Sequence, residues 1–223
     1  MKAGNAEYTN PSEVASTIPV FPLTGALLLP GGQMPLNIFE PRYLQMIDDA
    51  IKNDKLIGMI QPDLKNSSED GASPKLSNIG CVGRLTAFQE SGDGRYLISL
   101  AGICRFKLVE ELMVNTLYRQ CLIEPMACDL EKDNSMSDVD REAVLAAFRN
   151  YLDANSMDAD WETIRKTDNE TLITALCMMS PYDPIEKQAL LEAPDLKARA
   201  DTLIAISEMH LARDDSDNHG RLQ

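Results

Sequence analysis

Side chains able to break bonds are few in this chain, and their spacing suits no known catalytic pattern. Histidine occurs only at His210 and His219. A Ser–His or Cys–His nucleophile needs one of them as a base within hydrogen-bond reach. His210 falls near the end of a predicted last helix and His219 in a polar tail, so both read as solvated. The five cysteines, at 81, 104, 121, 128 and 177, contain no CxxC pair and argue against a disulfide frame or a zinc site. Cys81, Cys104 and Cys121 lie among apolar residues of predicted strands and Cys177 in the helical LCMMS, the setting of buried small hydrophobes. Gly31-Gly32 could suggest a phosphate loop. That loop requires GxxxxGK, in which backbone N–H groups wrap the phosphate and the lysine neutralises it, and no Gly-Lys dipeptide occurs. HExxH and GxSxG are also absent, and no carboxylate spacing singles out an acid–base pair. A Ser–Lys dyad has no obligatory local spacing. The expectation is a chain with no catalytic, cofactor-binding or metal-binding residues.

The elements that would position any site follow from composition. At 223 residues and 44% apolar content the chain can bury one or two cores. It has no run near the ~20 apolar residues needed to span a bilayer and no apolar leader, and its thiols suit a reducing compartment, so a cytoplasmic location is expected. Residues 1–128 carry 14 acidic and 11 basic side chains and 129–223 carry 21 and 10, for a net charge of −14. Such a balance opposes nucleic acid and anionic membrane as partners.

Before residue 130 the period is that of strands. Runs 83–88, 95–101, 103–109 and 118–123 alternate, with Arg105 and Lys107 on the polar side of the third, and Ser91-Gly-Asp-Gly94 suits a hairpin turn. This predicts an antiparallel meander curled into a small barrel. Two polar stretches, 62–78 and 129–138, read as a mobile surface loop and a linker. After the linker the period is helical. Thr167 with Glu170, and Asp183-Pro184 with Glu186, mark helix starts, and a last helix runs over about 196–212. The expected class is α+β: a β domain at 17–128 and a helical bundle at 137–213, with flexible termini at 1–16 and 214–223.

The stretch 27–43, LLLPGGQMPLNIFEPRY, holds the candidate binding surface. Pro30 and Gly31 suit the two central positions of a tight turn. Met34, Leu36 and Ile38 then alternate as a half-buried strand, and Pro35, lacking an N–H, places that strand at an edge or bulge. Pro41 opens a helix bearing Leu44, Ile47 and Ile51. No single strand can bury Leu27, Leu28 and Leu29 on one face, and Phe39 is out of register with the alternation. If these side chains reach solvent together they form an exposed apolar patch of the kind that binds protein. The candidate residues are Leu27, Leu28, Leu29, Met34, Pro35, Phe39, Arg42 and Tyr43, with the edge strand able to pair an extended segment.

Over about 17–213 the chain resembles the N-terminal, substrate-binding domain of Lon proteases. The resemblance rests on IPVFPLTGALLLPGGQMPLNIFEPRYLQMI, IGCVGRL, DGRYLISLAGICRF and DPIEKQALLEAPDLKARADTL. It implies a PUA-like curled sheet or pseudo-barrel followed by a helical bundle, and non-catalytic binding of unfolded or flexible protein segments. Full-length Lon continues into ATPase and Ser–Lys protease modules, neither of which begins in this sequence. A stand-alone bacterial Lon-domain protein is therefore expected, in quality control alongside a separately encoded protease. Two alternatives differ in class: an RNA-binding PUA-like protein, and a small-molecule sensor or enzyme using an interdomain cleft.

Overall fold

A computed structural model of the protein describes residues 1–63, 74–130, 138–154 and 159–220. A small hairpin, β1 (Lys2–Ala3) with β2 (Ala6–Glu7), and a capped 3-10 turn at Pro11–Glu13 open the chain. Residues 1–16, expected to be a loose terminus, bury Ala3, Tyr8 and Val14 against the sheet. Then follow β3 (Thr17–Pro22), β4 (Gln33–Ile38), α1 (Pro41–Lys52), β5 (Leu56–Pro62), β6 (Leu76–Glu90), β7 (Tyr96–Leu112) and β8 (Gln120–Pro125). The strand order is β4-β7-β6-β5-β3-β8, and β7 pairs again with β8, so five strands close into a ring with β4 attached outside it.

This is a curled sheet as expected, with two corrections. The sheet is mixed: β3 runs parallel to β5, because the connection between them carries β4 and α1 and is long enough to cross over. The expected strands at 95–101 and 103–109 are one strand, β7, pairing with β4 through its first half and β8 through its second. No turn is needed at Gly102; it lies directly opposite Gly83 of β6. Two facing glycines leave a bare trough on the sheet, and the chain at 28–29 lies in it. A Cβ on Gly102 would stand 2.0 Å from the Leu29 carbonyl oxygen, and one on Gly83 2.8 Å from Leu28 Cδ2. Inside the ring, Phe106 fills the space left by Gly80 and Gly58.

The helical half comprises α2 (Arg141–Ala154), α3 (Trp161–Lys166), α4 (Asn169–Met179), α5 (Pro184–Glu192) and α6 (Leu196–Gly220). Asp183, Pro184 and Glu186 form the expected capping box of α5. At α4 the cap is Asp168, one residue beyond the expected Thr167; its carboxylate accepts the Thr171 N–H at 2.9 Å. Helix α3, unforeseen, is capped by Asp160, and α6 continues past the expected end at 212. The expected loop at 62–78 is shorter, since Pro62 closes β5 and Leu76 opens β6; its middle, 64–73, and residues 131–137 of the expected linker lie outside the described residues. One buried apolar cluster joins Leu27–Leu29, Met46, Leu100, Val144, Leu172, Leu190 and Leu203. That cluster takes residues from both sides of the expected division into 17–128 and 137–213.

Arg105 joins the two halves. Expected on a polar face, it is only 2% exposed. Its Nε and Nη2 donate to the Asp129 carboxylate at 2.9 and 2.7 Å. Its Nη1 donates to the Leu191 and Ala193 carbonyls and Nη2 to the Pro194 carbonyl. A guanidinium thereby caps the C-terminal carbonyls of α5, where a cation is favoured.

Arg105→Ala leaves Asp129 without its cation and these carbonyls without their side-chain donor, and is expected to cost about 3–5 kcal/mol in urea denaturation. Gly102→Ala, forcing a methyl into the Leu29 carbonyl, is expected to cost at least about 2 kcal/mol.

Candidate functional site

The structure splits the predicted patch into a sealed part and an exposed part. Leu27, Leu28 and Leu29 are all buried, correcting the expectation that some would reach solvent. They belong to no strand: residues 26–29 form an irregular run covered on both sides, by the Gly83–Gly102 trough on one and the helices on the other. Alternation limits a strand to one buried face, but a segment between two layers is not so limited. The run is pinned by Gln61, whose Oε1 accepts the Gly25 N–H at 3.0 Å while its Nε2 donates to the Pro184 carbonyl at 2.9 Å. Lys187 Nζ donates to the Gly25 carbonyl at 2.8 Å. Tyr43 is also buried, its ring centroid 4.2 Å from that of Phe21. It points into the core because Pro41 starts α1 with that face inward.

Exposed are Phe39, Pro35 and Arg42. Phe39 is 62% open at the β4–α1 junction, and Ile38 beside it is buried, as the broken register predicts. Arg42 pairs with Glu40 at 2.8 Å and lies over the Tyr43 ring at 4.5 Å, fixing a charged rim next to Phe39. Met34 is half-buried and packs against the core.

Strand β4 is the edge that Pro35 predicts, pairing only with β7 among the described residues. The Gly102 N–H donates to the Gly32 carbonyl at 2.9 Å, which with the register places the even-numbered residues of β4 in hydrogen-bonded pairs with β7. Gln33, Pro35 and Asn37 then turn their backbone polar groups outward. Pro35 has no N–H to offer, so an added strand would miss a bond at the centre of this edge.

At the N-terminal end of β4 a cleft of about 380 Å³ opens between Pro30–Gln33 and α4. The turn at 30–31 forms as expected: Gly31 has φ +77° and the Gly32 N–H donates to the Leu29 carbonyl at 2.9 Å. Met178 packs so closely on Gly32 that a Cβ there would stand 2.3 Å from its sulfur. Met179 is 82% exposed at the rim. Met178 is half-buried and packs against the core, and Met179 does neither.

A family model of the ATP-dependent protease La (LON) substrate-binding domain matches residues 17–207. This chain belongs to that family. It is 27% identical over 197 residues to Lon protease 2 of Myxococcus xanthus, covering 85% of the chain and 23% of that protein. It is 29% identical over 203 residues to the Lon protease of Parabacteroides distasonis, covering 87% and 24%. The chain thus spans about a quarter of the length of the curated relatives it matches. Two solved structures share the fold at TM-score 0.58: a Lon N-terminal domain protein from Xanthomonas campestris (22% identity, 86% of this chain and 98% of that one) and the N-terminal domain of the Mycobacterium avium complex Lon protease (16%, 87% and 99%).

Four of the five thiols of this LON-family chain are packed away. Cys81, Cys104, Cys121 and Cys177 are buried and Cys128 is exposed. Burial pushes the thiols of Cys104 and Cys177 up to about 12 and that of Cys121 to about 11, and Cys81 rises in the same direction. His210, expected in solvent, is half-buried between the Tyr151 and Tyr182 rings with Nε2 3.0 Å from the Glu186 carboxylate. Among the described residues no cluster of His, Cys, Asp or Glu is arranged to hold a metal ion, and no helix is long and apolar enough to cross a membrane.

A maleimide should therefore label Cys128 rapidly in the native protein, and the other four thiols only after unfolding. Because the fold holds those thiols protonated, stability is full below the ordinary thiol pKa of 9.0 and should fall as pH rises from there towards 11–12. Denaturation midpoints taken across that range check the sign.

Proposed function

We propose that this chain recognises protein substrates by reversibly burying apolar side chains of flexible or non-native segments along β4, with no bond-breaking step of its own. Membership of the LON substrate-binding family supplies the general role of substrate recognition. The carrying observation is that Phe39 and Met179, at opposite ends of β4, stand largely in water, at 62% and 82% exposure. Six residues at ~3.3 Å each separate Gln33 from Phe39, so the surface would accommodate about six residues of extended chain. Apolar side-chain contact leads and backbone pairing assists, because Pro35 interrupts the edge donors. A separately made or linked protease would receive what is held here.

An RNA ligand is disfavoured by the charge of −14. A small molecule between the halves is disfavoured by the apolar cluster that fills most of that boundary.

Burying a Phe or Met is worth about 1.5–3 kcal/mol, so Phe39→Ser and Met179→Ser should each weaken binding of a reduced, unfolded model protein about tenfold or more. Both positions are exposed, so melting temperatures should shift by only a degree or two. Equal binding of folded and unfolded forms, or indifference to both substitutions, would remove this assignment. Cleavage of the bound protein by the pure chain would overturn its non-catalytic part.

A further inference from the structure

The cleft at the N-terminal end of β4 is walled mainly by apolar atoms and holds one buried polar group without a partner. Pro30 of the turn and Ala175, Met178 and Met179 of α4 supply much of the apolar wall. Thr174, on the same face of α4 as Glu170 and Met178, lines the cleft too and is only 6% exposed. The helical hydroxyls of Ser180, Thr202 and Ser207 turn back to the carbonyl four residues earlier, at 2.7, 2.7 and 2.8 Å. The Thr174 hydroxyl makes no such bond and has no hydrogen-bond partner among the described residues. Every fully enclosed polar atom of their side chains is partnered, so this unpartnered hydroxyl opens on the cleft that Thr174 lines.

The wall selects what can enter. Covering a lone hydroxyl with a purely apolar group leaves it unsatisfied, so a tip able to hydrogen-bond is favoured. A cationic tip at Thr174 would leave water with no carboxylate at that depth. Glu170, the one ionisable group lining the cleft among the described residues, stands exposed at its mouth. There it repels an acidic tip. The volume of about 380 Å³ admits one large side chain, and the thioethers of Met178 and Met179 make favourable contacts with a ring.

Backbone pairing can deliver such a side chain. Gln33 lines the cleft and turns its N–H and carbonyl outward, ahead of the break at Pro35. In a segment paired there, the residue next to the paired one turns its side chain to the helix side, as Met34 does on β4.

We propose that this cleft is a pocket for one uncharged side chain with a large apolar body and a hydrogen-bonding tip, tyrosine above all, and that Thr174 reads the tip. The proposal rests on the β4 reading and specifies which residue of the bound segment enters beside Gln33.

Four labelled peptides of about six residues, alike except for Tyr, Phe, Lys or Glu at one terminal position, test it by fluorescence anisotropy with the full chain. The Tyr peptide should bind about fivefold tighter than the Phe peptide, which lacks only the hydroxyl, and the Lys and Glu peptides more weakly than either. Thr174→Val, which keeps the shape and removes the hydroxyl, should abolish the Tyr preference and leave Phe binding unchanged or tighter. Thr174→Ser should keep the preference. In the unaltered protein the Met178 methyl NMR signal should shift on titration with the Tyr peptide, a readout that holds even if Thr174→Val folds poorly. Equal affinity for Tyr and Phe, tightest binding by Lys, a Tyr preference that survives Thr174→Val, or an unmoved Met178 signal overturns the proposal. If all four peptides bind alike and Phe39→Ser weakens them all, the β4 reading stands without this pocket. If none binds, the β4 reading itself fails.

Discussion

A guanidinium taken out of water is tolerated only if every donor finds a partner, and Arg105 meets that condition by drawing three parts of the chain together. Its backbone and side chain hold Asp129 at the end of the β half. The rest of its donors reach the carbonyls that close α5, more than eighty residues later in the chain. Breaking such a buried pair costs far more than the pair contributes relative to an apolar substitute, so it specifies an arrangement more than it adds stability. Here the arrangement is the seating of the helices on the sheet. That seating encloses Leu27–Leu29 and forms the cleft at Met178 and Met179.

Glycine placement does the complementary work. Gly83 and Gly102, opposite each other on β6 and β7, let a backbone segment lie directly on the sheet. Once that segment is a middle layer, three consecutive leucines can be buried together. The same layer delivers the chain to the turn at Pro30–Gly31 and then to β4, at the outside of the ring. The exposed apolar residues at the two ends of β4 are therefore displayed by a rigid support, and Pro35 in the middle guards the edge against indiscriminate strand addition.

Legibility varied with how local the governing interaction is. The Gly31 turn, the edge position of β4, the Pro41 start of α1, the Asp183–Glu186 capping box and the exposure of Phe39 were all readable, because each depends on a few neighbouring residues. Arg105 was misread because alternation assigns a face without saying whether that face meets water. The three leucines were assigned to a surface because a strand has only one buried face, whereas they lie in no strand. Tyr43 was assigned there because the face that α1 turns to the core depends on distant packing.

The sequence by itself determined the α+β order of elements, the acidic charge, the absence of a phosphate loop and the LON-family resemblance, since these lie in residue types and short spacings. Only the tertiary structure decided which apolar residues remain in solvent. Exposure depends on what the rest of the chain places on top, and here the decisive covers are helices and facing glycines far away in sequence. That is why the leucines expected to bind a partner became core.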